Sequence, residues 1–303
     1  MAFDPRTFAQ QLVYEELAPA VALLQDLASI QDFDRAQEVR SRRCRRQFFW
    51  SFLPLFVAVV LWLSSVGDEP YYPVVLGCLG ALLLLTIFLF FRMRAAKRLD
   101  LENRRYELAA AVLQLLRVDM DRERPVSLRL DLGASDRSEL VGNKFKNPRG
   151  WKVTEYICPW LSCTGQLLDD TRFELTATRR EQHCVRWKTN ARGKSKRKSK
   201  IKVRDSLRLR IRPGAELLPH LRYADATLEN ALQLPPYVRV RRMGATSKGL
   251  GIEVAIDSLW QVERGVGEGR ELCGKHAVAM MFLNLYNVLN RARGAATALP
   301  LAR

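Results

Sequence analysis

The stretch FFWSFLPLFVAVVLWLSSVG, Phe48–Gly67, contains no charged side chain. A second uncharged stretch, YPVVLGCLGALLLLTIFLFF (Tyr72–Phe91), follows after a short DEPY connection. About twenty apolar residues in an α-helix cross the roughly 30 Å hydrocarbon core of a bilayer. Aromatic residues near the ends, such as Trp50 and Tyr71, are typical of membrane interfaces. The two stretches predict a transmembrane hairpin with spans 48–67 and 72–91, and a buried helix pair of a soluble protein is the alternative.

The flanks of the hairpin predict its orientation. The connection between the spans has no Lys or Arg, whereas both outer flanks are rich in them: Arg35, Arg40, Arg42, Arg43, Arg45 and Arg46 before, and Arg92, Arg94, Lys97, Arg98, Arg104 and Arg105 after. Basic residues stay on the cytoplasmic side. We therefore expect an integral, multi-pass membrane protein with both termini in the cytoplasm. Six irregularly spaced cysteines agree with a reducing compartment.

Two features of the spans bear on function. Neither span contains Asp, Glu, Lys, Arg or His, which argues against a pump or a coupled transporter. Gly77 and Ala81 stand four residues apart in the second span, a spacing that lets two helices approach closely. These two helix-packing residues would contact either the other span of the same hairpin or a second copy of the chain.

The segments next to the spans read as helices. Residues 1–47 form an N-terminal cytoplasmic segment with apolar residues at helical spacing from Phe8 to Ala28, interrupted at Pro19. Residues 92–125 form a cytoplasmic stalk and linker, and helix is expected to continue unbroken from the second span to about Met120. Pro125 ends this pattern, because proline disfavours helix at the residue before it.

Residues 126–303 predict a cytoplasmic domain built on strands. Apolar and polar residues alternate with a period of two in six stretches, which predicts six strands. They are VSLRLDL, WKVTEYICPWLSCTGQLL, TRFELTATRREQHCVRW, IKVRDSLRLRIR, YVRVRRM and LGIEVAIDSLWQVE. Asp169-Asp170 predicts a turn between the second and the third. A helix over about Glu271–Arg293 closes the chain. The predicted fold class is thus an α+β membrane protein, with a two-helix transmembrane hairpin, helical cytoplasmic extensions and a mostly antiparallel β-rich domain.

The segment 186–212 carries much of the net charge of +17. In its second half, Leu207, Leu209 and Ile211 take one parity and the cations take the other, which predicts a strand with a core face and a cationic outer face. Asp205 has the apolar parity and requires a bulge or a buried pair with Arg. The lysine-rich half, Asn190–Lys200, is interpreted as the turn. The candidate polyanion-binding residues are Arg192, Lys194, Lys196, Arg197, Lys198, Lys200, Lys202, Arg204, Arg208, Arg210 and Arg212.

Catalytic chemistry has little support in the sequence. Cys158 and Cys163, with His183-Cys184 and Cys273/His276, lack the spacing of a zinc site and are interpreted as structural, so no metal is predicted. The segment RGVGEGRELCGKH, Arg264–His276, matches neither phosphate-binding glycine motif. We expect no catalytic residues, no cofactor and no enzymatic activity.

Three functions remain. The first is a membrane-anchored, non-catalytic interaction or scaffold protein that presents the β-rich domain to a partner protein or a second copy. The second is a polyanion-binding module that acts through the basic hairpin 186–212 on anionic lipid headgroups or nucleic acid. Nucleic acid ranks behind lipid, since the hairpin offers only Trp187 for base stacking. The third is a channel subunit, which rests on the two-span architecture alone.

Overall fold

The computed structural model describes residues 3–64, 72–99, 101–189, 193–214, 221, 233–246, 248–256, 260–262 and 273–298. The chain divides into two compact units, Met1–Gln10 with Ala28–Asn103, and Gln11–Leu27 with Arg104–Arg303. The helices are α1 (Pro5–Gln11), α2 (Ala20–Ser64), α3 (Tyr72–Arg98), α4 (Asn103–Leu116) and α5 (Gly274–Ala298). The strands are β1 (Val13–Pro19), β2 (Pro125–Asp131), β3 (Val141–Lys146), β4 (Lys152–Gln166), β5 (Arg172–Thr189), β6 (Ser195–Arg212), β7 (Val238–Thr246) and β8 (Gly249–Ile256).

Two helices, α2 and α3, are long and apolar enough to cross a membrane, and the apolar part of each lies in the first unit. Only 11% of the most apolar window of the first and 6% of that of the second are buried, whereas the core helix of a soluble protein is mostly buried. Phe56, Leu84 and Phe88 are 67%, 69% and 62% exposed. The rings of Phe48 and Phe90 lie 5.8 Å apart and connect the two helices.

The prediction of one unbroken helix from the second span to Met120 is wrong. Helix α3 ends at Arg98 and α4 begins at Asn103. In a continuous helix the N–H of Leu101 would donate to the carbonyl four residues earlier. Here it donates instead to the fully buried carboxylate of Asp34, at 3.1 Å. A contact from α2 therefore replaces the hydrogen bond that a continuous helix would make at this point.

The second unit is an α+β fold on an antiparallel sheet, as predicted. The strand order is β1-β2-β4-β5-β6-β8-β7, and β3 pairs with β4 off this path. The turn between β4 and β5 contains Asp170, whose φ of 62° confirms the predicted Asp169-Asp170 turn. All six predicted strands and the closing helix are present, although each differs from the sequence boundaries by a few residues.

The N-terminal segment is the main departure from the predicted fold. Residues 13–19, predicted as helix, form the edge strand β1, which pairs along its whole length with β2. Leu12, with a φ of 54°, redirects the chain between α1 and β1. The last pair in the register is Pro19 opposite Pro125, and neither proline has an N–H to donate. Strand β3 was not predicted at all, because its residues are exposed and polar apart from Phe145 and Val141.

One face of the sheet, called the core face here, is buried. Leu128, Leu175, Leu207, Leu209 and Val254 on this face are at most 1% exposed. Helix α5 packs against it through Phe282, whose ring lies 5.7 Å from that of Phe173. The opposite surface is called the outer face.

The sheet extends beyond its helix-covered part as an arm. We define the arm as residues 152–158 of β4, 179–189 of β5 and 195–204 of β6, together with β3. The last β8 residue paired with β6 is Ile256, opposite Asp205, so β8 does not reach the arm. Near its tip, from Arg186 and Lys198 outward, β5 and β6 pair only with each other among the described residues.

Candidate polyanion-binding face

The register of β5 and β6 places most of the predicted cations on the outer face. Leu207, Leu209 and Ile211 are buried on the core face, so the even-numbered residues of β6 point to the outer face. The predicted turn Asn190–Lys200 is wrong over Ser195–Lys200, which belong to strand β6, whereas residues 190–192 lie outside the described part of the chain. The outer-face residues of β6 are Lys196, Lys198, Lys200, Lys202, Arg204, Ser206, Arg208, Arg210 and Arg212.

Strand β5 adds cations directly opposite several of these. Lys188 pairs with Lys196, Arg186 with Lys198, and Arg180 with Arg204. We call the eight outer-face cations of the arm the cationic ladder: Arg180, Arg186, Lys188, Lys196, Lys198, Lys200, Lys202 and Arg204. Like charges directly opposite each other on neighbouring strands destabilise a sheet. Among the described residues, no carboxylate forms an ion pair with any cation of the ladder.

A tryptophan on the outer face holds two cations of the ladder in place. The guanidinium carbon of Arg186 lies 4.7 Å from the ring centre of Trp151, and the Lys200 ammonium lies 4.6 Å from it. Trp151 is 9% exposed and packs with Val153 and Cys184 in a small cluster of its own. These cation–π contacts stabilise the arm where the main core does not reach. They also leave the Trp151 ring unavailable for stacking on a nucleic-acid base.

The other predicted cations have different environments. Arg208 is bound by Glu253, at 2.5 Å, and Arg210 lies 3.6 Å from Glu174. Arg212 is opposite Arg172 on the outer face. Arg197 lies on the opposite side of the sheet, since it pairs with Trp187. Lys194 precedes β6, and Arg192 lies outside the described residues.

The core side of the arm is bare and mixed in character. Trp187 and Ile201 are 67% and 62% exposed there, and no helix among the described residues covers them. The same side carries Arg197 and three exposed lysines of β3 and β4, namely Lys144, Lys146 and Lys152. Among the described residues the arm is therefore cationic on both sides, with eight cations on the outer face and five on the core side when the paired Arg179 is included.

Asp205 lies where the covered sheet meets the arm. Its parity in β6 places it on the core face, where a carboxylate needs a buried partner. Arg179 is that partner, and its Nε and Nη2 donate to the Asp205 carboxylate oxygens at 2.8 Å and 3.1 Å. The indole N–H of Trp260 donates to the same carboxylate at 2.7 Å, a contact that sequence reasoning missed. Both members of the ion pair are buried. This cluster closes the core at the base of the arm.

The predicted helix-packing residues Gly77 and Ala81 are both exposed on α3. A Cβ atom added at Gly77 meets no atom within 4 Å. Both positions therefore present open surface within the described residues, and their role in helix packing stays a prediction.

The cysteines near the sheet are buried thiols. Burial raises the pKa of the Cys163 thiol to about 12, and it also raises the pKa of Cys158. Cys184 and Cys273 are buried as well, and the glycine-rich residues 264–272 lie outside the described part of the chain. Within the described residues, no three His, Cys, Asp or Glu side chains form a group that could hold a metal ion.

Comparison of the chain with protein families, with curated proteins and with solved structures gives no match in any of the three.

Proposed function

We propose that this chain is a non-catalytic, two-span membrane protein with both termini in the cytoplasm, and that its β-sheet unit binds anionic lipid surfaces through the cationic ladder. The observation that carries this proposal is the set of three opposed like-charge pairs with no carboxylate partner among the described residues. Such pairs reduce the stability of the sheet. An anionic partner would remove this repulsion.

Membrane insertion is supported by the exposed apolar surface of α2 and α3. A row of exposed Phe and Leu side chains such as Phe56, Leu84 and Phe88 far exceeds the patches that soluble monomers expose. A bilayer is the solvent in which such helices are stable. The cytoplasmic assignment of the termini follows from the basic flanks of the spans.

Lipid is favoured over nucleic acid by the aromatic residues of the arm. Single-stranded nucleic acid is bound by aromatic rings that stack on bases. On the outer face the Trp151 ring is buried between Arg186 and Lys200, and Trp187 lies on the opposite side of the sheet.

The test uses the full chain in neutral-lipid nanodiscs and measures its binding to vesicles of increasing phosphatidylserine content. One variant replaces Lys196, Lys198 and Lys202 with Gln; none of these three side chains makes a hydrogen bond or ion pair among the described residues. Since each basic residue near an anionic leaflet contributes about 1 kcal/mol, we expect roughly 100-fold weaker binding.

The matched control replaces Lys144, Lys146 and Lys152 with Gln. These substitutions remove the same charge from the same arm, but the three lysines lie on the opposite side of it. We expect a much smaller loss of vesicle binding for this variant. Equal losses for the two variants, or tighter binding to single-stranded RNA than to the vesicles, would overturn the proposal.

Self-association in the membrane is a second candidate function, favoured by the position of Gly77 and Ala81. Both are exposed on α3, and the open space at Gly77 lets a second helix approach its backbone closely. Gly77→Leu should then reduce cross-linking between copies in the bilayer, whereas Val74→Leu, at another exposed position of α3, should not. Cross-linking that is equal in the two variants would exclude this face.

A further inference from the structure

A groove of about 410 Å³ opens on the outer face where β6, β8 and β7 run side by side. In the register, Arg210 is opposite Gly251, which is opposite Gly244. The neighbouring outer-face pair is Thr246 with Gly249. Two adjacent strands therefore carry glycine at the centre of the groove, and its floor is main chain rather than side chain.

Close packing requires glycine at one of the three positions in the groove, Gly249, but not at Gly251 or Gly244. A Cβ at Gly249 would lie 2.2 Å from the carbonyl oxygen of Ile211, so a larger residue does not fit there. A Cβ at Gly251 would make only ordinary contact, at 3.5 Å from Cγ of Arg210, and a Cβ at Gly244 would meet nothing within 4 Å. Glycine inside a strand weakens it, and it often marks a place where a ligand approaches the backbone.

The rim of the groove is strongly cationic. Five cations line it, namely Arg208, Arg210, Arg212, Arg242 and Lys248, against a single acid, Glu253. Glu253 binds Arg208 through Nε and Nη2, at 3.1 and 2.5 Å. Arg212, Arg242 and Lys248 have no carboxylate partner among the described residues. Arginine presents a planar fork of donors that matches the oxygens of a phosphate group.

The geometry points to a binding site for a small organic molecule that carries at least two phosphate groups, with the phosphates between the arginines and the ring or chain over the glycine floor. Sites for small molecules have volumes of about 300–1,000 Å³, so this groove is larger than one inorganic phosphate requires. The site is independent of the function proposed above, because no residue of the cationic ladder lines it. The phosphates would come from a phosphorylated lipid headgroup or from a soluble phosphorylated molecule.

The test measures the binding of three probes to the full chain in phosphatidylcholine nanodiscs. The probes are inositol trisphosphate, phosphatidylcholine vesicles doped with phosphatidylinositol bisphosphate, and inorganic phosphate. The critical variant is Gly244→Leu, which places an uncharged side chain in the groove at a position where an added Cβ meets no atom within 4 Å. We expect it to weaken binding of the first two probes about tenfold or more, because the leucine occupies the ligand's space.

Two controls separate this site from non-specific attraction to a cationic surface. Gly80→Leu makes the same change at another glycine with open space around it, and it should leave binding unchanged. The Lys196, Lys198 and Lys202 triple variant should also bind inositol trisphosphate normally, even if it loses phosphatidylserine vesicles. Arg242→Gln should weaken binding and reduce its salt dependence.

The outcomes are distinct. Saturable binding of inositol trisphosphate that Gly244→Leu abolishes supports the site with a soluble source, and binding of the doped vesicles alone supports it with a lipid source. The proposal is overturned if no probe binds better than inorganic phosphate, or if Gly244→Leu binds like the unaltered chain. A variant that does not fold is detected by its melting temperature, and Arg242→Gln then serves as the test.

Discussion

Charge reversal on one strand of the cationic ladder should make the protein more stable while it abolishes binding to anionic vesicles. The change is Lys196→Glu, Lys198→Glu and Arg204→Glu in one chain. It converts the like-charge pairs with Lys188, Arg186 and Arg180 into pairs of opposite charge. No helix among the described residues covers the arm, so core packing has little influence on how much these charge pairs contribute to stability.

The size of the effect follows from the three opposed pairs. An opposite-charge pair across two strands contributes about 0.2–1 kcal/mol, and the like-charge pair it replaces is unfavourable. The side chains are exposed, so we take about 0.5 kcal/mol per pair, or roughly 1.5 kcal/mol in total. In a unit of about 200 residues this raises the melting temperature by roughly 3–6 °C. The measurement is thermal unfolding of the full chain in neutral nanodiscs at low salt.

The salt dependence of the melting temperature and a control variant show whether the stabilisation comes from the like-charge pairs. Salt screens exposed charges, so added NaCl should raise the melting temperature of the unaltered chain and lower that of the triple variant. Lys202→Glu changes the charge in the same way, but its opposite residue is the neutral Gln182, so it should stabilise much less. A triple variant that melts at or below the temperature of the unaltered chain refutes repulsion within the ladder.

Three further predictions concern the core and the spans. Asp205→Leu removes the buried carboxylate that pairs with Arg179, so it should destabilise the fold by about 3–5 kcal/mol in denaturant unfolding. Adding Arg179→Met should restore only part of this loss, because the indole N–H of Trp260 also donates to that carboxylate. Cys78 is exposed and the other five cysteines are buried, so in intact membranes a lipid-soluble maleimide should label one thiol and a water-soluble maleimide none. Labelling by the water-soluble reagent would contradict insertion of α3. The unfolded chain loses the Cys163 proton above its ordinary pKa of 9.0, while the folded chain keeps it to about 12. Stability should therefore fall as pH rises through this window, by up to about 1.4 kcal/mol per unit, and Cys163→Ala should make the fall less steep.

Periodicity predicted the strands that have one buried and one exposed face. Leu207, Leu209 and Ile211 alternate with arginines, and the structure buries the first set and exposes the second. The same method failed for β1 because its apolar residues, such as Val13 and Leu17, also fit a helical spacing, and only the pairing with β2 decides between the two. The break after α3 was not predictable either, since it depends on a contact with Asp34, far away in sequence.

For the candidate sites too, local sequence patterns were predictable and contacts between residues far apart in sequence were not. The cations of β6 were visible in the sequence, but their like-charge partners on β5 depend on the register of the hairpin. The stacking of Trp151 between Arg186 and Lys200 also requires three strands to be aligned. The glycine groove was missed altogether, because Gly244 and Gly251 come close to Arg210 only when β8 pairs with β6 and β7 pairs with β8.

The alternation of β6 continues past the end of the core, and this supports the proposed binding of anionic surfaces by the arm. Asp205 pairs with the last residue of β8, and its buried ion pair with Arg179 closes the core at that point. Beyond it Val203 is only half-buried and Ile201 is exposed. Since the hydrophobic effect no longer holds these strands on a helix, their stability depends on backbone pairing and on the cation–π contacts of Trp151. Repulsion along the ladder opposes both of these contributions. An anionic surface that neutralises this repulsion would therefore stabilise the arm as well as bind it.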